Sequence, residues 1–247
     1  MPKYELIYKP KGRAGEYAPG YAANLFEGCG NDCDYCFVKT FPWTNKATFA
    51  SSPRPKDNVL EKLQKDIDKM ITFNDVNEVF LCFTCDPYQE IERKELITRR
   101  TLEMLLMNNI PVRILTKSNL AYRDLDLMAQ HKNLVTFGMT LVFAKEADSK
   151  EHEPNAAYTS TRNLLLMDAH ARGIKTWVSL EPVWSPKDAF QLIAHTHTYV
   201  DEYKIGKLNY HPQEKNVDWK KFAIDVSRLC EKLNCNYILK EDLKKLL

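Results

Sequence analysis

Apolar runs rich in Val, Ile, Leu and Phe alternate along most of the chain with segments whose apolar residues recur at helical spacing. Strands are predicted at residues 22–27, 78–84, 112–116, 135–141, 175–180 and around 203–208. Helices are predicted at 58–71, 95–107, 122–130, 161–171, 187–195 and 219–233. Pro111 stops the second helix and Gly173 ends the fourth. Strands alternating with helices imply a parallel sheet. Six such units predict an α/β fold, a partial (β/α)6 barrel of the TIM type. In barrels the functional groups sit at the carboxyl ends of the strands.

Alternation within the predicted strands then separates their two faces. Val112, Ile114 and Thr116 oppose Arg113, Leu115 and Lys117. Val135, Phe137 and Met139 oppose Thr136, Gly138 and Thr140, and Val178 and Leu180 oppose Ser179 and Glu181. Lys117, Thr140, Ser179 and Glu181 are therefore expected to converge at the barrel mouth. Such a lining suits a zwitterionic, hydroxyl-rich cofactor, with ordinary strand-end polarity as the plain alternative. In the segment Leu81-Cys82-Phe83-Thr84-Cys85-Asp86, alternation sends Cys82 inward with Thr84 and Asp86. Cys85 faces inward only if the strand has already turned. A buried cysteine is commonly just a small apolar residue, and Asp86-Pro87-Tyr88 is also turn chemistry.

The chemistry concentrates at Cys29, Cys33 and Cys36, spaced C-x3-C-x2-C directly after the first predicted strand. Three thiolates on one tight loop suit a metal. A cubane iron-sulfur cluster has four irons and normally four cysteines, so three leave one iron open to a ligand that is not protein. A structural zinc site is the rival, but it wants four closed ligands, and Cys82 and Cys85 lie in a predicted strand. Seven cysteines is an odd count, which speaks against a disulfide framework.

The cysteine spacing, with the aromatic Tyr35 before the third cysteine, resembles the radical S-adenosylmethionine superfamily. Asp86-Pro87-Tyr88-Gln89, Thr116-Lys117, Glu153-Pro154 before a helix bearing Arg162, and Ser179-Leu180-Glu181-Pro182 are similar to its spore photoproduct lyase-like branch, over about residues 24–210. The resemblance implies a 4Fe-4S cluster on the three cysteines, with S-adenosyl-L-methionine at the open iron. It implies cofactor contacts from Lys117, Thr140 and backbone near Tyr35 and Phe37. Asp86 is a candidate partner of the methionine amino group or the organiser of its turn. A reductant such as flavodoxin or ferredoxin is expected, with a nucleic-acid base as substrate; modification of a peptide or small metabolite, or a non-catalytic metal module, are alternatives. The chain departs from the branch at one position. Where those lyases place a hydrogen-donating cysteine, it has Phe83, flanked by Cys82 and Cys85, which stand as candidate catalytic thiols.

The 247 residues, 44% of them apolar, suffice for a single domain with its barrel core at about 20–235. A net charge of +2 gives no field to attract a polyanion, so any such site must be local. Residues 38–56 supply a local candidate: Lys39, Lys46, Arg54 and Lys56 among Phe41, Trp43 and Phe49, with no acidic residue. Bases stack on aromatics while cations follow phosphates, although aromatics also keep a cluster dry. No apolar run is long enough to span a bilayer and no signal peptide is apparent, which predicts a cytoplasmic protein. Residues 144–160 read as a long polar loop over the barrel mouth, a lid, with His152 an acid, a base or a solvated surface group. Cys230 and Cys235 read as core and surface residues. The tail at 237–247 closes the barrel's open side or meets a partner.

Overall fold

In a computed structural model, the structure describes residues 3–209 and 211–247. Tyr210, the last residue of the family resemblance, lies outside the described residues. The strands are β1 (Ile7–Tyr8), β2 (Tyr21–Ala23), β3 (Phe26–Glu27), β4 (Arg54–Pro55), β5 (Val79–Leu81), β6 (Val112–Thr116), β7 (Val135–Thr140), β8 (Lys175–Val183), β9 (Glu202–Lys207) and β10 (Tyr237–Leu239). The helices are α1 (Arg13–Tyr17), α2 (Val59–Thr72), α3 (Glu92–Glu95), α4 (Ile97–Met107), α5 (Leu125–Gln130), α6 (Glu146–His152), α7 (Thr159–Ala171), α8 (Pro186–Thr196), α9 (Trp219–Lys232) and α10 (Glu241–Lys244).

Eight strands form one curved sheet in the order β1-β2-β5-β6-β7-β8-β9-β10. Every pairing from β2 to β10 is parallel, and β1 adds antiparallel at the edge. This is the open barrel the alternating pattern predicts, widened by two short strands that a six-strand reading omits. β1 and β10 are two and three residues long, too short to show a period of their own. β3 and β4 form a separate ribbon flanking the cysteine loop.

The parallel strands are buried on both faces, as crossover helices require. Leu63, Ile67 and Met70 of α2, Leu102 and Leu105 of α4, and Leu165 and Leu166 of α7 pack on the outer face. Inside the barrel Tyr17, Ala22, Phe80 and Trp177 form a second apolar cluster, with Phe83 and Leu115 at its upper edge. Gly138 is the position that admits Trp177, because a Cβ there would stand 2.2 Å from the indole nitrogen.

Two inward residues below this cluster are charged. Arg113 pairs with Glu78 and Glu202, each at 2.9 Å. Lys204 donates to the Tyr17 carbonyl at 2.6 Å and lies 5.3 Å from both the Tyr17 and Trp177 rings. Burial pulls the Lys204 ammonium down to about 8. Among the described residues no helix is long and apolar enough to cross a membrane.

Several predicted elements differ from those observed: the strand predicted at 22–27 divides into β2 and β3, which belong to separate sheets, and the helix predicted at 122–130 begins as a 3-10 turn and is α-helical only from Leu125. The strand predicted to reach residue 84 ends at Leu81, because the Asn24 side chain accepts from the Phe83 and Thr84 amides at 2.7 and 3.0 Å and bends the chain. The helix predicted from residue 95 is broken at Leu96, which has φ +53°. Buried Glu92 reaches across the break to accept from Thr98 N at 2.9 Å. Within the predicted loop at 144–160, residues Glu146–His152 form α6.

Candidate active-site cavity

A cavity of about 590 Å³ opens at the carboxyl ends of the strands. Cys29, Cys33, Cys36, Tyr35, Phe37, Cys82, Cys85, Asp86, Lys117, Thr140, Ser179 and Glu181 all line it. The residues singled out as cluster, cofactor and thiol candidates are therefore brought to one place, whereas His152 and the cations at 39–56 do not line it. Its size and its mainly apolar wall with a few convergent polar groups fit a small-molecule site.

The cysteine loop is shaped by its own backbone and by side chains from distant elements. Gly28 turns the chain at φ +80°, where a Cβ would meet the Phe49 carbonyl at 2.5 Å. Cys29 N donates to that carbonyl at 2.8 Å. Gln89 accepts from Gly30 N at 2.8 Å, and Asn155 donates to Gly30 O at 2.8 Å. Asp86 accepts four hydrogen bonds, from Asn31 Nδ2, Thr116 Oγ1, Lys117 N and Tyr88 N, at 2.6 to 2.8 Å. Of its two expected roles, the structure displays the organising one: Asp86 ties the cysteine loop to the end of β6.

The segment expected to be a lid instead clamps the loop. Asp34 N donates to the His152 carbonyl at 3.1 Å, and His152 Nδ1 meets Asp34 Oδ2 at 2.6 Å. The His152 ring stacks on Phe143 at 5.0 Å and leans on Trp184 at 4.3 Å. His152 is thus a packed joint, not a solvated surface group. The Tyr35 hydroxyl donates to Glu153, which also pairs with Arg162 at 2.6 Å and lies 4.0 Å from Lys117. Burial works against the Glu153 charge, but Arg162 and Lys117 beside it hold the carboxyl below its usual range. Burial also opposes the Lys117 charge, which Cys33 and Glu153 nonetheless carry above its ordinary value.

Burial pushes the Cys33 thiol up to about 12, against the pull of Lys117, and raises Cys29 as well. Such thiols become thiolates when a metal replaces their protons. Among the described residues no three His, Cys, Asp or Glu side chains converge closely enough to hold a single metal ion. A cubane places each thiolate on a separate iron, and three cysteines on one loop facing one cavity suit that arrangement.

The bend after β5 carries both Cys82 and Cys85 to the cavity wall. Strict alternation would have admitted Cys82 alone. Two predicted polar groups arrive with partners. The Ser179 hydroxyl meets that of Tyr17, and Glu181 accepts from Lys240 Nζ at 3.2 Å and lies 3.7 Å from Arg13. A register irregularity between β8 and β9 at residues 180–183 aims Glu181 and Pro182 into the cavity. Arg13 and Tyr17 of α1 and Lys240 before α10 were not singled out from the sequence. They come from opposite ends of the chain, and nothing local marks their meeting.

No protein-family model matches the chain. An uncharacterized protein of Methanocaldococcus jannaschii is 25% identical over 191 residues, 76% of this chain and 70% of its own length. An uncharacterized protein of Acidianus two-tailed virus is 25% identical over 245 residues, 90% of this chain and 79% of its own. Among solved structures, a cysteine-to-serine mutant of spore photoproduct lyase matches with a TM-score of 0.72 at 14% identity, covering 97% of this chain and 79% of that one. Streptococcus suis SuiB bound to S-adenosylmethionine matches with a TM-score of 0.67 at 12% identity, covering 92% of this chain. The chain spans about half of SuiB, 52% of its length. The open barrel built by this sequence accordingly has the fold seen in spore photoproduct lyase and in SuiB.

Proposed function

We propose that the protein is a radical S-adenosylmethionine enzyme, with Cys29, Cys33 and Cys36 holding a 4Fe-4S cluster and the adjoining cavity holding S-adenosyl-L-methionine. The observation that carries this reading is the shared cavity: the three thiols face the same space as Lys117, Thr140, Ser179 and Glu181. When bound and reduced, the cluster supplies an electron that splits the cofactor into methionine and a 5'-deoxyadenosyl radical able to take a hydrogen atom from a substrate.

The protein's part is binding, orientation and exclusion of side reactions. Lys117, its charge maintained by Glu153, offers a cation to the cofactor's carboxylate. Thr140 offers a hydroxyl, and Glu181, free to exchange Lys240 or Arg13 for another cation, offers a carboxylate. Tyr35 and Phe37 border the adenine side. Cys82 and Cys85 are the candidate thiols for giving a hydrogen atom back, and burial raises the Cys85 thiol well above its ordinary value. Phe143, Tyr35 and Trp184, with ring centres 5.5 to 6.3 Å apart, shield the loop from water.

For the substrate we propose a base in nucleic acid, reached with help from the exposed aromatic ladder beside the mouth. Phe41 and Trp43 are stacked 4.5 Å apart, and Trp43 is 75% exposed. A soluble reductant of the flavodoxin or ferredoxin kind and a cytoplasmic setting complete the reading. Metal analysis after anaerobic reconstitution tests its first premise. About four irons and four sulfides per chain support it, whereas a single zinc that resists exchange refutes it.

A further inference from the structure

The end of the cavity formed by α1, β9 and β10 has a charge pattern of its own. Lys11, Arg13, Lys207 and Lys240 line it. They arrive from three separate places: the start of α1, the end of β9 and the end of β10. The pattern is therefore a convergence and not the solvated face of one helix.

The carboxylates near these cations mostly stand outside the cavity. Arg13 pairs with Asp242 at 2.7 Å and Lys207 with Glu214 at 2.6 Å, and neither acid lines the wall. Lys11 forms no ion pair among the described residues. Among the described residues Glu181 is the one carboxylate facing this end, since Asp86, the other acid lining the cavity, is spent on its four donors beside the cysteines. Four cations thus face the space against one lining acid; Asp242, Glu214 and Glu181 offset three of them, and Lys11 leaves the group net positive. Low-dielectric walls strengthen such a field, and Phe83 and Leu208 supply an apolar surface next to it.

We infer that this end of the cavity receives an anionic group, phosphate or carboxylate, of a substrate whose apolar body packs against Phe83 and Leu208. The inference rests on reading the cavity as a catalytic chamber, and it names the substrate chemistry. An anion here would form charge-assisted hydrogen bonds with Arg13 and Lys240 while its reactive carbon points toward the cysteine side.

Calorimetric titration of the purified protein without reductant tests this with defined probes: phenyl phosphate, phenylacetate, neutral benzyl alcohol and a short single-stranded oligonucleotide. Both small anions should bind at least about tenfold more tightly than benzyl alcohol and weaken as salt rises. Charge reversal, Lys11→Glu with Lys207→Glu, should weaken both anions about tenfold or more and leave benzyl alcohol unchanged. The neutral pair Lys11→Gln with Lys207→Gln should lose less, which separates loss of charge from loss of fold. An oligonucleotide that displaces the small anions makes the anion a phosphodiester; one that does not makes it part of a small substrate. Equal binding of anion and alcohol, or indifference to charge reversal, overturns the inference. Because no cofactor cleavage is measured, that failure is distinct from failure of the enzyme reading.

Discussion

The Tyr35 hydroxyl donates its hydrogen bond to the Glu153 carboxylate across 118 residues of sequence. This contact joins the cysteine loop to the segment that follows β7. Glu153 is fully buried, as is Arg162, its partner at 2.6 Å. One carboxylate therefore holds an arginine, a lysine and the aromatic residue of the cysteine motif together.

Replacing that carboxylate removes the counter-charge of a buried arginine, which ordinarily costs about 3–5 kcal/mol. Glu153→Gln is expected to lower stability by roughly that amount in denaturant unfolding. Tyr35→Phe loses one hydrogen bond to a carboxylate and should cost less, about 1.5–3 kcal/mol. Equal, small effects from both would contradict the clamp.

Asp86 is expected to govern how the cysteine loop is held. Asp86→Asn keeps the size but supplies one acceptor oxygen for four donors, leaving donors buried and unpaired at about 1–3 kcal/mol each. Iron retained per chain after reconstitution should fall severalfold. Unchanged iron content would show that the tie between Asn31 and β6 does not position the loop.

Lys204 carries a pH dependence with a definite sign. Its folded pKa, about 8, lies below the ordinary lysine value of 10.5, so the folded chain releases this proton first. Stability from this group then rises with pH between about 8 and 10.5, the unfolded chain binding more protons there. Relative to Lys204→Met, the native protein should gain about 1 kcal/mol between pH 7 and pH 9. A difference that is flat or falls with pH would contradict the buried, charge-penalised environment.

If the ladder beside the mouth stacks bases, Phe41→Ala combined with Trp43→Ala should weaken binding of a single-stranded oligonucleotide. Each stacked base contributes about 1–3 kcal/mol, so the loss should be tenfold or greater, and Trp43→Ala alone, at an exposed position, should weaken binding at unchanged melting temperature. Fluorescence anisotropy measures it. Wild-type protein that ignores the oligonucleotide at low salt would refute the nucleic-acid substrate.

The barrel and much of its mouth were legible in the sequence because both follow from short-range periodicity. Alternation along β6, β7 and β8 sufficed to point to Lys117, Thr140 and Ser179, whereas Glu181 enters at the irregularity between β8 and β9. The same rule failed at Cys85, where the Asn24 side chain, 59 and 60 residues from the amides it caps, ends β5 early. It was also silent on α6, α1 and Lys240. Glu153 and Arg162 appeared only as fragments of a family pattern, since their meeting with Tyr35 depends on tertiary folding. His152 looked like a surface residue because no local pattern foretells its stacking between Phe143 and Trp184.

The most direct test of the account is formation of 5'-deoxyadenosine by anaerobically reconstituted protein given dithionite and S-adenosylmethionine, beside a Cys33→Ala control. The account predicts the product from the native chain and none above background from the variant. An iron-loaded native protein that makes no 5'-deoxyadenosine, or a variant that makes as much, would contradict it.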